Sequence, residues 1–330
     1  MNNIVISGYY GFKNFGDEAI LSLLIKKLQN KNVTVISSNP EYTKSLYGNI
    51  QSIYTFDFKN ILKKISSSDI LISGGGSLLQ DVTSVKSLFY YLIIIFIALF
   101  LRKKVIIFAQ GIGPINSKIG QFLTRILLKK CEYISVRDEK SFELLKSWGI
   151  KSELLCDPIF SIDIPDSEKD NTLAIQLRDF KTVTEDFLNN LANFVCEKFS
   201  DCDIKIYSLQ DDIDLEICKS FERKLKKLNP DIKTEIHYHL TNHKIIEELS
   251  KAKYVIAMRF HAIIIGLLAN AKIWAINYDI KVEKLAKEFD LPLIDLSGEN
   301  IDYPDNEPDS GNIKAKLQAF DWSGFEKVIN

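Results

Sequence analysis

Residues 3–21 read NIVISGYYGFKNFGDEAIL: a run of β-branched side chains, a polar loop bearing glycines, then the opening turns of a helix. The apolar run has no polar alternation, as expected of a strand buried on both faces of a parallel sheet. The same grammar recurs downstream in VTVISS, DILISGGG, KVIIFAQGIG, YISVRD and SELLCDP, each followed by a helical pattern. Repeated strand, loop and helix of this kind predict a doubly wound α/β domain.

Residues 157–171, DPIFSIDIPDSEKDN, carry two prolines and many acids without a helical period, and we place the domain linker there. Alternation restarts with TLAIQL, DIKIYSL, KYVIAM and KIWAIN, separated by helical stretches over 187–199 and 215–228. The expected architecture is two Rossmann-like α/β domains, residues 1–160 and 161–330, facing a cleft. A polar stretch over 300–312 precedes a last helical pattern in which Ile313, Leu317, Phe320 and Phe325 share an apolar side. This tail is expected to return to the first domain.

The chain has 330 residues, of which 46% are hydrophobic, with 20 Phe and 13 Tyr against only 15 Gly and 8 Pro. That composition excludes a disordered or collagen-like protein. Its 42 basic and 43 acidic residues leave a net charge of -1, so no basic field exists to hold a nucleic acid. Cys131, Cys156, Cys196, Cys202 and Cys218 form no C-x-x-C pair, and the start MNNIVISGYYG lacks the blocks of a signal peptide. A cytoplasmic protein with free thiols is expected. The longest apolar run, LFYYLIIIFIALFL from Leu88 to Leu101, is closed by Arg102, Lys103 and Lys104. A membrane span needs about 20 residues, so two readings fit: a buried helix, or weak peripheral contact with an anionic lipid surface.

Ligands of open parallel sheets bind beyond the carboxyl ends of the strands, which directs attention to the residues there. The first loop holds Gly11 and Gly16, but its spacing is neither the dinucleotide fingerprint nor a P-loop. Asp17 and Glu18 at the helix start would repel a phosphate, so a hydroxylic ligand fits better. Asp17 could bind or deprotonate a sugar hydroxyl, or simply cap the helix. Two further clusters follow strands: Gly74-Gly75-Gly76 with Gln80-Asp81, and Gln110-Gly111-Ile112-Gly113. Glycines there let a ligand approach the backbone, or serve only as tight turns. Arg137-Asp138 reads as an internal ion pair.

In the second half, YVIAM runs into Arg259-Phe260-His261 and an apolar helix. A guanidinium and an imidazole at a strand end and helix start make the best anion site in the chain. Arg178 and Lys281 fall at equivalent strand ends, so three cations are candidates for one pocket. Asp211-Asp212-Ile213-Asp214 looks like a D-x-D motif but reads better as an acidic helix start. His237, His239 and His243 lack the partners that would complete a metal site, and no metal is expected.

Taken together, GYYGFKNFGDEAIL, LISGGGSLLQDVTS, FAQGIGPI, SVRDEKS, LAIQLR and MRFHAIIIGLLANAKIWAINYDIKV resemble the polysaccharide pyruvyl transferase family, and specifically its CsaB branch. The resemblance spans Gly8 to about Val282. It implies two Rossmann-like domains in the GT-B arrangement and transfer of a pyruvyl group from phosphoenolpyruvate to a sugar as a cyclic ketal, without a cofactor. In that branch the acceptor is an N-acetylmannosamine of a lipid-linked cell-wall saccharide, whose product anchors surface-layer proteins. It assigns Arg259 and His261 to the family's Arg-x-His, and Arg178 to its strand-end arginine. Phe260 departs from the usual Leu, and Asp179 stands where an aromatic usually follows Arg178.

Phosphoenolpyruvate brings a phosphate and a carboxylate, which Arg178, Arg259 and Lys281 could hold. Ketal formation needs a proton at the methylene carbon, and His261 is the candidate donor. Two other classes stay open: a nucleotide-sugar glycosyltransferase of the same shape, and a non-catalytic saccharide-binding protein.

Overall fold

The computed structural model describes residues 2–296 and 317–330. It divides into two units, one of Met1–Ile162 with Gln318–Asn330 and one of Asp163–Leu317. Each is built on a parallel sheet.

In the first unit the strands are β1 (Asn3–Ser7), β2 (Asn32–Ser37), β3 (Gln51–Tyr54), β4 (Ile70–Ser73), β5 (Gly76–Leu79), β6 (Lys104–Ile112), β7 (Tyr133–Val136) and β8 (Glu153–Leu154). Their order is β3-β2-β1-β4-β6-β7-β8, with β5 paired to β6. Strand order reverses between β1 and β4, which pair parallel with Ser7 opposite Ser73. That switch point sets the glycine loops after β1 and β4 side by side.

The helices are α1 (Phe15–Lys27), α2 (Pro40–Tyr47), α3 (Phe58–Ser66), α4 (Val85–Phe100), α5 (Lys118–Leu128) and α6 (Glu139–Ser147). Both sheet faces are covered, because Val5, Leu71 and Ile107 pack into one apolar cluster and Ile4, Ile6, Ile72 and Phe108 into another. The helix α4 contains most of the long apolar run, and its Leu88, Tyr91, Leu92, Ile95 and Ala98 are buried while Ile93, Phe96 and Phe100 are exposed. Among the described residues no helix is long and apolar enough to cross a membrane.

The chain end comes back to this unit. Phe320 approaches in an irregular segment and Phe325 lies on the last helix, Ser323–Ile329; their ring centroids stand 5.4 and 4.9 Å from Phe108 of β6. Leu317 is half-buried, and Ile313 lies outside the described residues.

The second unit has β9 (Asp170–Gln176), β10 (Asp203–Tyr207), β11 (Thr234–His237), β12 (Ala252–Ala257), β13 (Lys272–Asn277) and β14 (Leu293–Asp295), ordered β11-β10-β9-β12-β13-β14. Its helices are α7 (Glu185–Lys198), α8 (Asp211–Leu228), α9 (Asn242–Lys251), α10 (Phe260–Leu268) and α11 (Ile280–Glu288). The α7 helix starts ahead of its apolar pattern because Thr184 caps it, its side chain accepting from the Phe187 N–H at 3.1 Å. Here the order reverses between β9 and β12, and Gln176 stands opposite Ala257. The residues that follow are Arg178 and Arg259. All five cysteines are free thiols.

Candidate functional site

The strand ends of the second unit carry the candidate cations. Arg259 is the N-cap residue of α10, and His261 lies in that helix's first turn. Arg259 is tied to the neighbouring strand, since its N–H donates to Gln176 Oε1 at 2.7 Å. Its guanidinium is engaged inside the protein: Nε donates to Asp214 Oδ2 and one amino group to Asp214 Oδ1, both at 2.8 Å. The same amino group donates to Gln210 Oε1 at 3.2 Å, while the other amino group makes no hydrogen bond among the described residues. Asp214 is fully buried and Arg259 nearly so. Burial pushes the Asp214 carboxyl above its ordinary range, and the guanidiniums of Arg259 and Arg178 pull it back. The strand-end arginine is thus held by the fold through Nε and one amino group.

Asp214 escaped the sequence reading as a site residue, although the acidic helix start it belongs to is present: α8 begins at Asp211 with Asp211, Asp212 and Asp214 in its first turn. The signal was its phase. Asp214, Ile217, Cys218, Phe221 and Leu225 are the buried residues of α8, which puts this one acid on the apolar stripe.

Arg178 lies beside a pair of rings that are 5.3 Å apart, its guanidinium 5.7 Å from the centroids of both Phe180 and Tyr278, and it donates to Tyr278 Oη at 3.3 Å. Asp179 is exposed, so the aromatic neighbour of this arginine is supplied one position later, by Phe180. Phe260 stands edge-on to His261 at 5.3 Å. Lys281 is exposed in the first turn of α11, which Asp279 caps. Of the remaining histidines, His237 stacks on Tyr207 at 4.9 Å and His239 pairs with Asp211 at 2.5 Å. No group of three or more His, Cys, Asp or Glu side chains among the described residues is placed to hold a metal.

In the first unit the loop after β1 is folded around Glu18. The N-cap of α1 is Asn14, whose side chain accepts from the N–H groups of Gly16 and Asp17. The capping alternative for Asp17 is therefore corrected: Asn14 takes that position, and Asp17 lies in the first turn. Glu18 is buried and its Oε1 accepts from the Gly11 N–H at 2.7 Å, while Oε2 is buried without a partner. Burial raises its carboxyl to about 7, against the pull of the Gly11 and Lys13 N–H groups. Tyr10, also buried, has its hydroxyl pushed well upward by burial and by Asp17 and Glu18.

The glycines of these loops are filled around by the protein itself. A Cβ at Gly11, where φ is +81°, would come within 2.5 Å of the Asn39 backbone nitrogen. One at Gly76, where φ is +94°, would come within 2.6 Å of Asp17 Oδ1. Gly75 and Gly111 face Ile20 and the Ser77 hydroxyl at 2.7 and 2.8 Å. Gly113 precedes a cis peptide to Pro114. Gln110 is a strut, its amide donating to Ser73 Oγ and the Gly74 carbonyl, both at 2.8 Å. Close packing of chain on chain is one reason for glycine at Gly11, Gly75, Gly76 and Gly111, and Asp17 is brought against Gly76.

The expected pairing of Arg137 with Asp138 is corrected. Arg137 bonds to buried Asp157 and, at 3.2 Å, to Ser77 Oγ. Asp138 instead caps α6, accepting from the Ser141 N–H at 2.9 Å.

A family described as Polysaccharide pyruvyl transferase matches residues 14–280. No curated protein matches the sequence. Among solved structures, Anabaena HepE in complex with UDP and glucose superposes with a TM-score of 0.64 at 10% identity, over 100% of this chain and 98% of that one. A putative UDP-N-acetylglucosamine 2-epimerase from Listeria monocytogenes gives 0.64 at 13% identity, over 97% and 92%. The UDP-GlcNAc 2-epimerase of Methanocaldococcus jannaschii gives 0.62 at 12%, over 96% and 92%. At such identities the likeness is one of fold: an α/β chain with two parallel sheets, shared with GT-B-like proteins.

Proposed function

The chain belongs to the polysaccharide pyruvyl transferase family, and from that premise we propose that it moves the pyruvyl group of phosphoenolpyruvate onto two hydroxyls of one sugar as a cyclic ketal. The observation that carries the reading is the pair of arginines after the adjacent strands β9 and β12, Arg178 and Arg259, with His261 in the helical turn that follows. Phosphoenolpyruvate presents two anionic groups, and guanidiniums bind both phosphate and carboxylate with directed hydrogen bonds. Arg178, held by its two rings, and the open prong of Arg259 are the anion contacts, with Lys281 as a third positive charge.

The chemistry balances without a cofactor. His261 delivers a proton to the methylene carbon, and a sugar hydroxyl attacks the adjacent carbon as it becomes electron-poor. The carbon–oxygen bond to phosphate breaks, inorganic phosphate leaves, and the second hydroxyl closes the ring. Two hydroxyl protons are released overall, one replacing the proton given by His261 and one leaving with phosphate. A histidine titrates in the right range for such work. Asp17, in the first turn of α1, is the acceptor-side contact in the first unit, and the second unit is the donor side.

The finer assignment is the CsaB branch, with an N-acetylmannosamine of a lipid-linked cell-wall saccharide as acceptor and surface-layer anchoring as the product's use. It rests on the motif blocks alone. Incubation with phosphoenolpyruvate and a panel of lipid-linked saccharides tests both levels. Phosphate release coupled to a product carrying a ketal supports the reaction, and the acceptor that reacts fixes the branch. Hexose addition from a nucleotide sugar, with phosphoenolpyruvate untouched, would overturn it in favour of a glycosyltransferase. Binding without turnover of either donor would make it a saccharide receptor.

A further inference from the structure

The outer face of α4 and α5 carries an apolar surface that the sheet does not use. On α4 the exposed side chains Ile93, Phe96 and Phe100 recur at helical spacing, and Phe100 is 74% exposed. On α5, which packs beside it, Ile119, Phe122 and Ile126 do the same, with Ile119 at 66% and Phe122 at 62%. A helix apolar on nearly every side, α4, and its amphipathic neighbour α5 thus each leave an apolar stripe exposed. Phe96, Phe100 and Ile126 line one groove of about 520 Å³ with Arg102, Lys103, Lys130 and one acid, Glu132.

Charge distinguishes this surface from an ordinary sticky patch. Residues 82–131 contain eight basic side chains and no Asp or Glu, in a chain whose net charge is -1. Arg102, Lys104, Arg125, Lys129 and Lys130 are exposed. Aromatic and aliphatic side chains fringed by cations match a bilayer interface, where rings enter the acyl boundary and ammonium groups meet anionic headgroups. A second copy of the chain would bring like charges face to face across a self-complementary contact.

We infer that the α4–α5 face of the first unit docks on an anionic lipid bilayer. The inference stands on this surface alone and does not require that the acceptor be lipid-linked. It also sharpens the reading of the apolar run: the contact is one stripe of α4 joined by one of α5, because the other faces of α4 are buried in the domain core.

Co-sedimentation with phosphatidylglycerol-containing vesicles, compared with pure phosphatidylcholine vesicles, tests this on the full chain. Wild type should bind the anionic vesicles and release them as salt rises. Changing Arg102, Lys103 and Lys104 together to Gln should weaken binding about a hundredfold at low salt, each charge near the surface contributing about a factor of five. Phe96→Ser with Phe100→Ser should also weaken it, with phosphate release from a soluble acceptor analogue unchanged. If wild type binds neither vesicle, or all variants bind alike, the inference fails. It also fails if the Phe variants instead convert a dimer to a monomer in light scattering, since the face is then a self-association surface. Loss of vesicle binding beside intact pyruvyl transfer, or the reverse, separates this inference from the proposed reaction.

Discussion

Asp214 Oδ1 and Oδ2 each accept a hydrogen bond of 2.8 Å from the guanidinium of Arg259, and the carboxylate is wholly buried. Removing one member of such a pair strands the other charge in a medium that solvates it poorly, at a cost of about 3–5 kcal/mol. Arg259→Ala should therefore lose stability as well as phosphate release, measured by urea denaturation beside turnover. Arg259→Met with Asp214→Leu separates the two effects. The double variant should recover most of the stability and none of the activity. Recovery of turnover in it would show that the arginine serves the fold alone.

His261 has a different expected profile. It lies in the first turn of α10 and is not part of the Arg259–Asp214 pair. His261→Gln should lower kcat by roughly 100- to 10,000-fold, the usual loss for a positioned proton donor. The KM for phosphoenolpyruvate should change little, because the anion contacts remain. A raised KM with normal kcat would make it a binding residue only.

Much of this arrangement is legible in the sequence because strand ends announce themselves. In LAIQLR and VIAMRF the apolar run stops at a cation, and parallel pairing of those two strands then sets the arginines side by side. What the sequence hides is the partner of each group. The contact between Arg259 and Asp214 joins residues 45 positions apart through packing of α8, and no local pattern encodes it. The glycine clusters are legible only in part, for a related reason. Glycine marks close approach, but the approaching atoms at Gly11, Gly75 and Gly111 are the protein's own. A helix with apolar residues all round, such as α4, likewise does not reveal which stripe faces the sheet until its neighbours are placed.

Glu18 makes stability depend on pH in a predictable direction. Its carboxyl titrates at about 7 in the folded protein against about 4.5 when unfolded. Between those values the unfolded chain gives up the proton and the folded one keeps it, so the unfolded state is favoured as pH rises. Stability linked to this group is therefore greatest below about pH 4.5, falls by about 3 kcal/mol up to pH 7, and is flat above. Glu18→Gln can still accept from the Gly11 N–H and has no proton to lose. Urea denaturation at pH 5 and pH 8 should show the variant gaining on wild type by most of that amount at the higher pH. Parallel profiles would mean that Glu18 is ionised and solvated in the folded protein.

The acceptor-side role proposed for Asp17 can be tested without touching Asp17. Gly76 adopts φ of +94°, and a methyl group there would come within 2.6 Å of Asp17 Oδ1. Gly76→Ala must accommodate both a backbone that disfavours L side chains, at about 1–3 kcal/mol, and a displaced carboxylate. Because the atom met is the far end of a side chain rather than backbone, displacing it costs less than moving the chain itself. If Asp17 meets a sugar hydroxyl, the variant should raise the KM for the acceptor several-fold and leave that for phosphoenolpyruvate alone. Asp17→Asn should shift the acceptor KM in the same direction without the stability loss, since Asn14 caps the helix in its place. A Gly76→Ala protein that is less stable but kinetically unchanged would reduce the contact between Asp17 and Gly76 to packing.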